Sequence, residues 1–157
     1  MKSSTYHTYR DYLFESVHPS GTYACIIPSR ESREEILKFC VDQGIDNLVD
    51  SDEYHCTIIY SKKECPDVAK EDFGLPCNGL VTGFKVLGKD EKVLVLELYC
   101  PNAVRLHELF IEKHGATHDY PEFISHITIA SDFKGEPPTE VPELEIRFTG
   151  YKIEELG

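Results

Sequence analysis

The sequence predicts an α+β fold built as one domain over residues 1–157, and three observations predict it. Apolar, β-branched runs alternate with two segments of helical spacing. Two of those runs, residues 80–87 and 92–100, are separated only by Gly88-Lys89-Asp90-Glu91, so the sheet contains a hairpin as well as helix-linked strands. The third is a repeat: His55-Cys56-Thr57-Ile58 and His126-Ile127-Thr128-Ile129 share one H-x-T-I pattern, and each lies in the strand that follows a helix. Together these predict a bilobal molecule of two pseudo-symmetric β-α-β lobes around a concave sheet cleft. A pseudo-two-fold axis would bring the two motif strands together there.

The elements follow in order. Thr22-Tyr23-Ala24-Cys25-Ile26-Ile27 reads as the first strand, ended by Pro28. Ser29 or Ser32 can cap a helix over residues 31–43, with Ile36, Leu37, Phe39, Cys40 and Val41 as its apolar face and Gly44 as its stop. Residues 54–61 form the first motif strand. Residues 62–78, with Pro66, Gly74 and Pro76, form a long polar connection that is expected to be partly mobile. After the hairpin, Pro101 suits the first turn of a helix that runs to His114 and is closed by Gly115. Val104, Leu106, Leu109, Phe110 and Ile111 are its predicted apolar face. Residues 122–131 hold the second motif strand, residues 132–143 a proline-rich loop, and residues 144–153 the last strand. Near the start, His7 and His18 sit among Tyr6, Tyr9, Tyr12 and Phe14, aromatics expected to dock on the fold without contributing chemistry.

Composition excludes several classes. A hydrophobic fraction of 41% with 9 Tyr and 8 Phe fits a folded chain rather than a disordered one. No apolar stretch is long enough to predict a membrane span, and the opening Met1-Lys2-Ser3-Ser4-Thr5-Tyr6-His7 lacks the apolar core of a secretory signal. A cytoplasmic protein is expected. The six cysteines include no C-x-x-C, and Cys25, Cys40, Cys56 and Cys100 fall in apolar contexts, so reduced thiols acting as small hydrophobes are expected. A net charge of −12, from 28 acids against 16 bases, disfavours a long nucleic acid as partner. A compact nucleotide held by a local cluster is compatible with it. No obligate protein partner is indicated.

The repeated motif carries the chemistry. Along a strand the His and Thr of each H-x-T point to the same side, so two such strands can surround one phosphate with two imidazoles and two hydroxyls. Phosphodiester cleavage needs a base for the attacking oxygen, an acid for the leaving oxygen, and donors for the charge between them. His55 and His126 can divide the proton transfers, since imidazole titrates near pH ~6.5. Thr57 and Thr128 can donate to the nonbridging oxygens. No metal is required, and no metal-binding signature is present. A lone histidine on an apolar strand is ordinary; two in matching contexts are not.

The motifs resemble the paired H-x-T signatures of the 2H phosphoesterase superfamily, and their spacing and the β-α-β pattern match over most of the chain. More narrowly, Gly21-Thr22-Tyr23-Ala24-Cys25-Ile26-Ile27-Pro28 and Tyr54-His55-Cys56-Thr57-Ile58-Ile59-Tyr60-Ser61 resemble the anti-CBASS cyclic-oligonucleotide phosphodiesterase family of T4-like bacteriophages. CBASS is a bacterial defence that signals infection with cyclic oligonucleotides. The resemblance implies a 2H fold and a cofactor-free enzyme that opens cyclic di- and trinucleotides, such as 3′,3′-cGAMP, in the host cytoplasm. One histidine would deprotonate a ribose 2′-hydroxyl and the other would protonate the departing 5′-oxygen, leaving a 2′,3′-cyclic phosphate open to hydrolysis with the roles exchanged. It further implies that Tyr23 contacts the ligand and that Glu154 binds a base or ribose. With no tryptophan, any stacking surface must be Tyr or Phe.

Other residues carry weaker signals. Lys62, Lys63, Lys134 and Lys152 follow strands and could attract phosphate, though exposed lysines are common. His114 and His118, with Asp119, have a metal-like spacing, but Gly115 breaks the helix that would align them, and no metal site is expected. His107 reads as an amphipathic-helix histidine. The same four motif residues would serve a general 2′,3′-cyclic or 2′-5′ phosphoesterase. A non-cleaving cyclic-nucleotide sponge would have no reason to keep two titratable groups on one phosphate.

Overall fold

The apolar runs become six antiparallel strands in the computed structural model of the chain, which describes residues 20–119 and 122–156. The aromatic cluster around His7 and His18 lies outside the described residues. The strands are β1 (Gly21–Pro28), β2 (Cys56–Ser61), β3 (Cys77–Leu87), β4 (Val93–Tyr99), β5 (His126–Ala130) and β6 (Glu145–Leu156); the helices are α1 (Arg30–Asp42) and α2 (Pro101–His114). The strands pair in the order β1-β2-β5-β4-β3-β6, and β6 pairs again with β1. One half of this ring, β6-β1-β2, carries α1 between β1 and β2. The other half, β3-β4-β5, carries α2 between β4 and β5. The halves meet at β2–β5 and at β3–β6. This is the pseudo-symmetric two-lobe arrangement, with the sheet closed on itself so that its concave face is its inside.

Local chemistry explains where the helices begin and end. Ser29 caps α1, its hydroxyl accepting from the Ser32 N–H at 3.2 Å. Ile36 and Cys40, four residues apart, face the sheet. Val41, expected on that face, is 58% exposed because it sits one residue, about 100°, round the helix from Cys40. In α2, Pro101 occupies the first turn and Gly115 takes the left-handed conformation (φ 71°) that ends it. Ala103, Leu106, His107 and Phe110 form the buried stripe, and Val104 lies off it, 39% exposed. Both helices pack on the outer face of the sheet, where Ala24, Ile26, Leu94, Leu96 and Ile127 complete the core. Each large side chain so buried contributes roughly 1.5–3 kcal/mol.

Two irregularities break the strand pairing at matching places. Ala24 stands opposite Ile59 and Cys25 opposite Thr57, so Ile58 is an extra residue in β2. Leu94 stands opposite Ala130 and Val95 opposite Thr128, so Ile129 is an extra residue in β5. The isoleucine of each H-x-T-I motif is therefore a β-bulge. In consequence Ile58 and Ile59 are both buried in the core, as are Ile129 and Ala130, and the alternation resumes one residue out of phase.

The connection after β2 is fastened rather than loose. Cys65, Val68 and Phe73 are buried, the Thr22 hydroxyl accepts from the Cys65 N–H at 2.7 Å, and Asn102 donates to the Phe73 carbonyl at 2.8 Å. Strand β3 starts at Cys77, before the expected residue 80, because Cys77, Asn78 and Gly79 pair with Phe148, Arg147 and Ile146 of β6. That partner is distant in sequence. Glu71 ties the same connection to the end of α2, with Lys113 Nζ at 2.9 Å and His114 Nε2 at 2.7 Å. These two partners, Lys113 foremost, hold the Glu71 carboxyl below its ordinary value of 4.5. A depressed carboxylate stabilises the fold above its unfolded pKa and ceases to do so as pH falls through the folded one. Urea unfolding of the wild type should therefore weaken below pH 4.5 more steeply than that of Glu71→Gln; parallel acid limbs would show that the clamp contributes nothing.

Candidate active site

Alternation puts His55 and Thr57 on the side of β2 opposite Cys56, and His126 and Thr128 on the side of β5 opposite Ile127. Cys56 and Ile127 are wholly buried in the helix-side core. The four motif side chains therefore face the inside of the closed sheet. β2 and β5 pair at Cys56 and Ile127. Continued by one residue each way, that register sets His55 across from Thr128 and Thr57 across from His126. The two histidines then lie on a diagonal whose backbone positions are about 7–8 Å apart. The pseudo-two-fold axis passes between Cys56 and Ile127.

Both rings are oriented by the same device. His55 Nδ1 lies 2.8 Å from the Glu53 carbonyl, and His126 Nδ1 lies 2.8 Å from the Ile124 carbonyl, in each case two residues upstream. A carbonyl only accepts, so in each ring Nδ1 carries a proton. His55 and Thr128 are buried, at 7% and 6% exposure. Thr57 and His126 are half-buried. Burial pulls the His126 pKa below its ordinary 6.5, opposed by the bond to Ile124 and by the charge of Glu97, which stands opposite His126 on β4.

The remaining candidates are placed unevenly. Tyr23 is fully buried; its Oη lies 3.1 Å from Thr57 Oγ1, and its ring meets His55 and Tyr60 edge-on. Its phenol, not a ring face open to stacking, is what reaches the motif. Glu154 stands opposite Tyr23 in the β1–β6 ladder, with Oε2 at 3.8 Å from Lys152 Nζ. Lys152 shares that face through Cys25, which pairs with Thr57. Lys62 is instead paired with Asp119 at 3.0 Å, while Lys63 and Lys134 are exposed outside the motif strands. His114 is engaged by Glu71 and His118 packs against His107, so the metal-like spacing does not become a cluster. Among the described residues no group of three or more His, Cys, Asp or Glu is placed to hold a metal ion.

Two neighbours of the motifs were not evident from sequence. Tyr60 reaches the inner face only because the bulge at Ile58 reverses the alternation after Thr57. Glu97 had a signal: it is the one charged residue in the apolar strand Val93–Tyr99.

A family profile described as anti-CBASS protein Acb1 matches residues 20–157. The anti-CBASS protein Acb1 of Vibrio phage KVP40 is 28% identical over 120 residues, 76% of this chain and 78% of that protein. Among solved structures, Escherichia coli LigT complexed with 3′-AMP superposes with a TM-score of 0.58 at 16% identity, covering 88% of each chain. TT0787 of Thermus thermophilus gives 0.58 at 16% identity over 84% of this chain and 86% of its own. The chain thus shares the fold of LigT.

The electrostatics of His126 can be checked directly. An NMR titration of its imidazole should give a midpoint below 6.5, and Glu97→Gln should lower it further by removing the charge that favours the imidazolium. A midpoint above 6.5, or one raised by the substitution, would contradict the described surroundings.

Proposed function

The chain belongs to the anti-CBASS protein Acb1 family, and we propose that its two H-x-T-I strands form the active centre of a phosphodiesterase that opens cyclic di- and trinucleotides such as 3′,3′-cGAMP. It would thereby let a phage evade CBASS defence in the host cytoplasm. The observation that carries this reading is the dyad-related pair of imidazoles on strands β2 and β5, each held by the same bond from Nδ1 to the carbonyl two residues upstream. Support also comes from the relative in Vibrio phage KVP40 and from LigT, a protein of the same fold crystallised with 3′-AMP and with phosphate. The match over residues 20–157 supports one functional domain.

A scissile phosphate seated over the Cys56–Ile127 crossing has an imidazole on each side. One neutral Nε2 takes the proton of the ribose 2′-hydroxyl, whose oxygen attacks the adjacent phosphorus. The other, protonated at Nε2, gives its proton to the departing 5′-oxygen. The ring opens and a 2′,3′-cyclic phosphate remains. Thr57 and Thr128 donate to the nonbridging oxygens as charge develops on them. Tyr23 orients the Thr57 hydroxyl, and Glu154 accepts from a ribose hydroxyl or base amino group. The substrate is a small anion, which an acidic protein can hold without a basic surface.

The test is incubation with 3′,3′-cGAMP in excess EDTA, with products read by mass. The wild type should yield linear products, and His55→Ala and His126→Ala should each lose about 10²–10⁴-fold in kcat. The wild-type kcat/KM should be bell-shaped between about pH 5 and 9, since one imidazole must be neutral and the other charged. A flat profile would overturn the division of roles. Cleavage of 2′-5′ oligoadenylate in place of the cyclic dinucleotide would make the protein a general phosphoesterase. Recovery of bound nucleotide intact would make it a sponge.

A further inference from the structure

A bulge leaves its extra residue without a partner in the strand ladder, so that residue's carbonyl needs a donor from elsewhere. The two lobes meet this need differently. In β5 the Ile129 carbonyl accepts from the backbone N–H of Val49 at 3.0 Å. In β2 the corresponding Ile58 carbonyl accepts from a side chain, His107 Nδ1, at 2.7 Å. His107 belongs to the buried stripe of α2 and is 5% exposed. Its ring lies flat against Phe123, with centroids 4.1 Å apart and planes 11° apart, and meets His118 edge-on at 4.4 Å. Both neighbours stand in the segment that leads from α2 into His126. The ring is thus gripped by the approach to the second motif while it holds the bulge of the first. Burial lowers its proton affinity, and because a carbonyl only accepts, it is the Nδ1–H that is directed at Ile58.

We infer that His107 is a positioning residue of the active centre: its Nδ1–H secures the Ile58 carbonyl and so fixes the bulge that follows Thr57, holding the His55–Thr57 stretch in register on the inner face, as the Val49 N–H does for the second motif. The inference rests on the phosphodiesterase reading above. A one-residue slip of the bulge would send Thr57 to the helix side and replace its hydroxyl with an isoleucine. Since one donor is a backbone group and the other a side chain, only the first motif can be loosened by substitution of its donor.

The experiment compares His107→Leu, which keeps an apolar body but loses the donor, with His107→Asn, whose amide nitrogen takes the place of Nδ1. Four quantities are measured: kcat and KM on 3′,3′-cGAMP, the thermal midpoint, and the ¹⁵N shifts of the His55 ring in the free protein. His107→Leu should lose about 10–100-fold in kcat with little change in KM, as displacement of a reacting group does. The His55 shifts should move from the Nδ1–H tautomer towards an average of the two, and Asn should restore both readouts. Should the Leu variant not fold, His107→Gln, which carries its amide one bond too far, takes its place with the same expected losses. Unchanged kcat and His55 shifts beside a lowered thermal midpoint would overturn the inference, as would Asn impaired no less than Leu. If the wild type opens no cyclic nucleotide, the phosphodiesterase reading fails, and the His55 shifts alone decide whether His107 positions the motif.

Discussion

Where the two lobes meet, β2 pairs with β5 at a single pair, Cys56 and Ile127, and the register of that pair determines what faces what across the centre of the protein. Both side chains go to the helix-side core, where burial from water holds them. A slip by one residue would turn the isoleucines inward and the histidines into the core, exchanging apolar burial for unpaired imidazoles. The hydrophobic effect thus orients the polar motif indirectly: each H-x-T faces the inside because its middle residue cannot.

The lobes share a plan but not all their side chains, and the differences gather at the motifs. Thr57 has the Tyr23 phenol against its hydroxyl, whereas the residue of β4 at the equivalent register position is Val93. His126 faces Glu97, whereas Ile27 holds the matching position near His55. One bulge is tied by a backbone amide and the other by His107. The proposed reaction, which takes a proton on one side of a phosphate and gives one on the other, is itself asymmetric. A symmetric frame places the two imidazoles, and unlike surroundings differentiate them.

Much of this plan was legible in the chain. Ser29, Pro101, Gly44 and Gly115 mark helix ends through chemistry that acts within a turn, and the helices end close to where these residues predict. The repeated H-x-T-I located both motif strands because its His and Thr are an even step apart. What stayed hidden depends on partners distant in sequence. The early start of β3 needs β6, and the anchoring of residues 62–76 needs Thr22, Asn102 and the end of α2. The bulges could not be inferred from alternation, since a run such as Thr57-Ile58-Ile59-Tyr60 reads as an ordinary apolar strand. Without them Tyr60 is assigned to the wrong face, and the role of His107 has no visible cause.

The central claim is that one phosphate is shared by both motifs. It is tested most directly by a crystal structure with a cyclic dinucleotide whose attacking 2′-hydroxyl has been removed, so that it binds without reacting. The account predicts a single phosphate over the Cys56–Ile127 crossing, within hydrogen-bond reach of Nε2 of His55 and of His126 and of the hydroxyls of Thr57 and Thr128. A nucleotide seated with its phosphates on surface lysines such as Lys62 or Lys134, and with the two imidazoles engaged by neither phosphate, would contradict it.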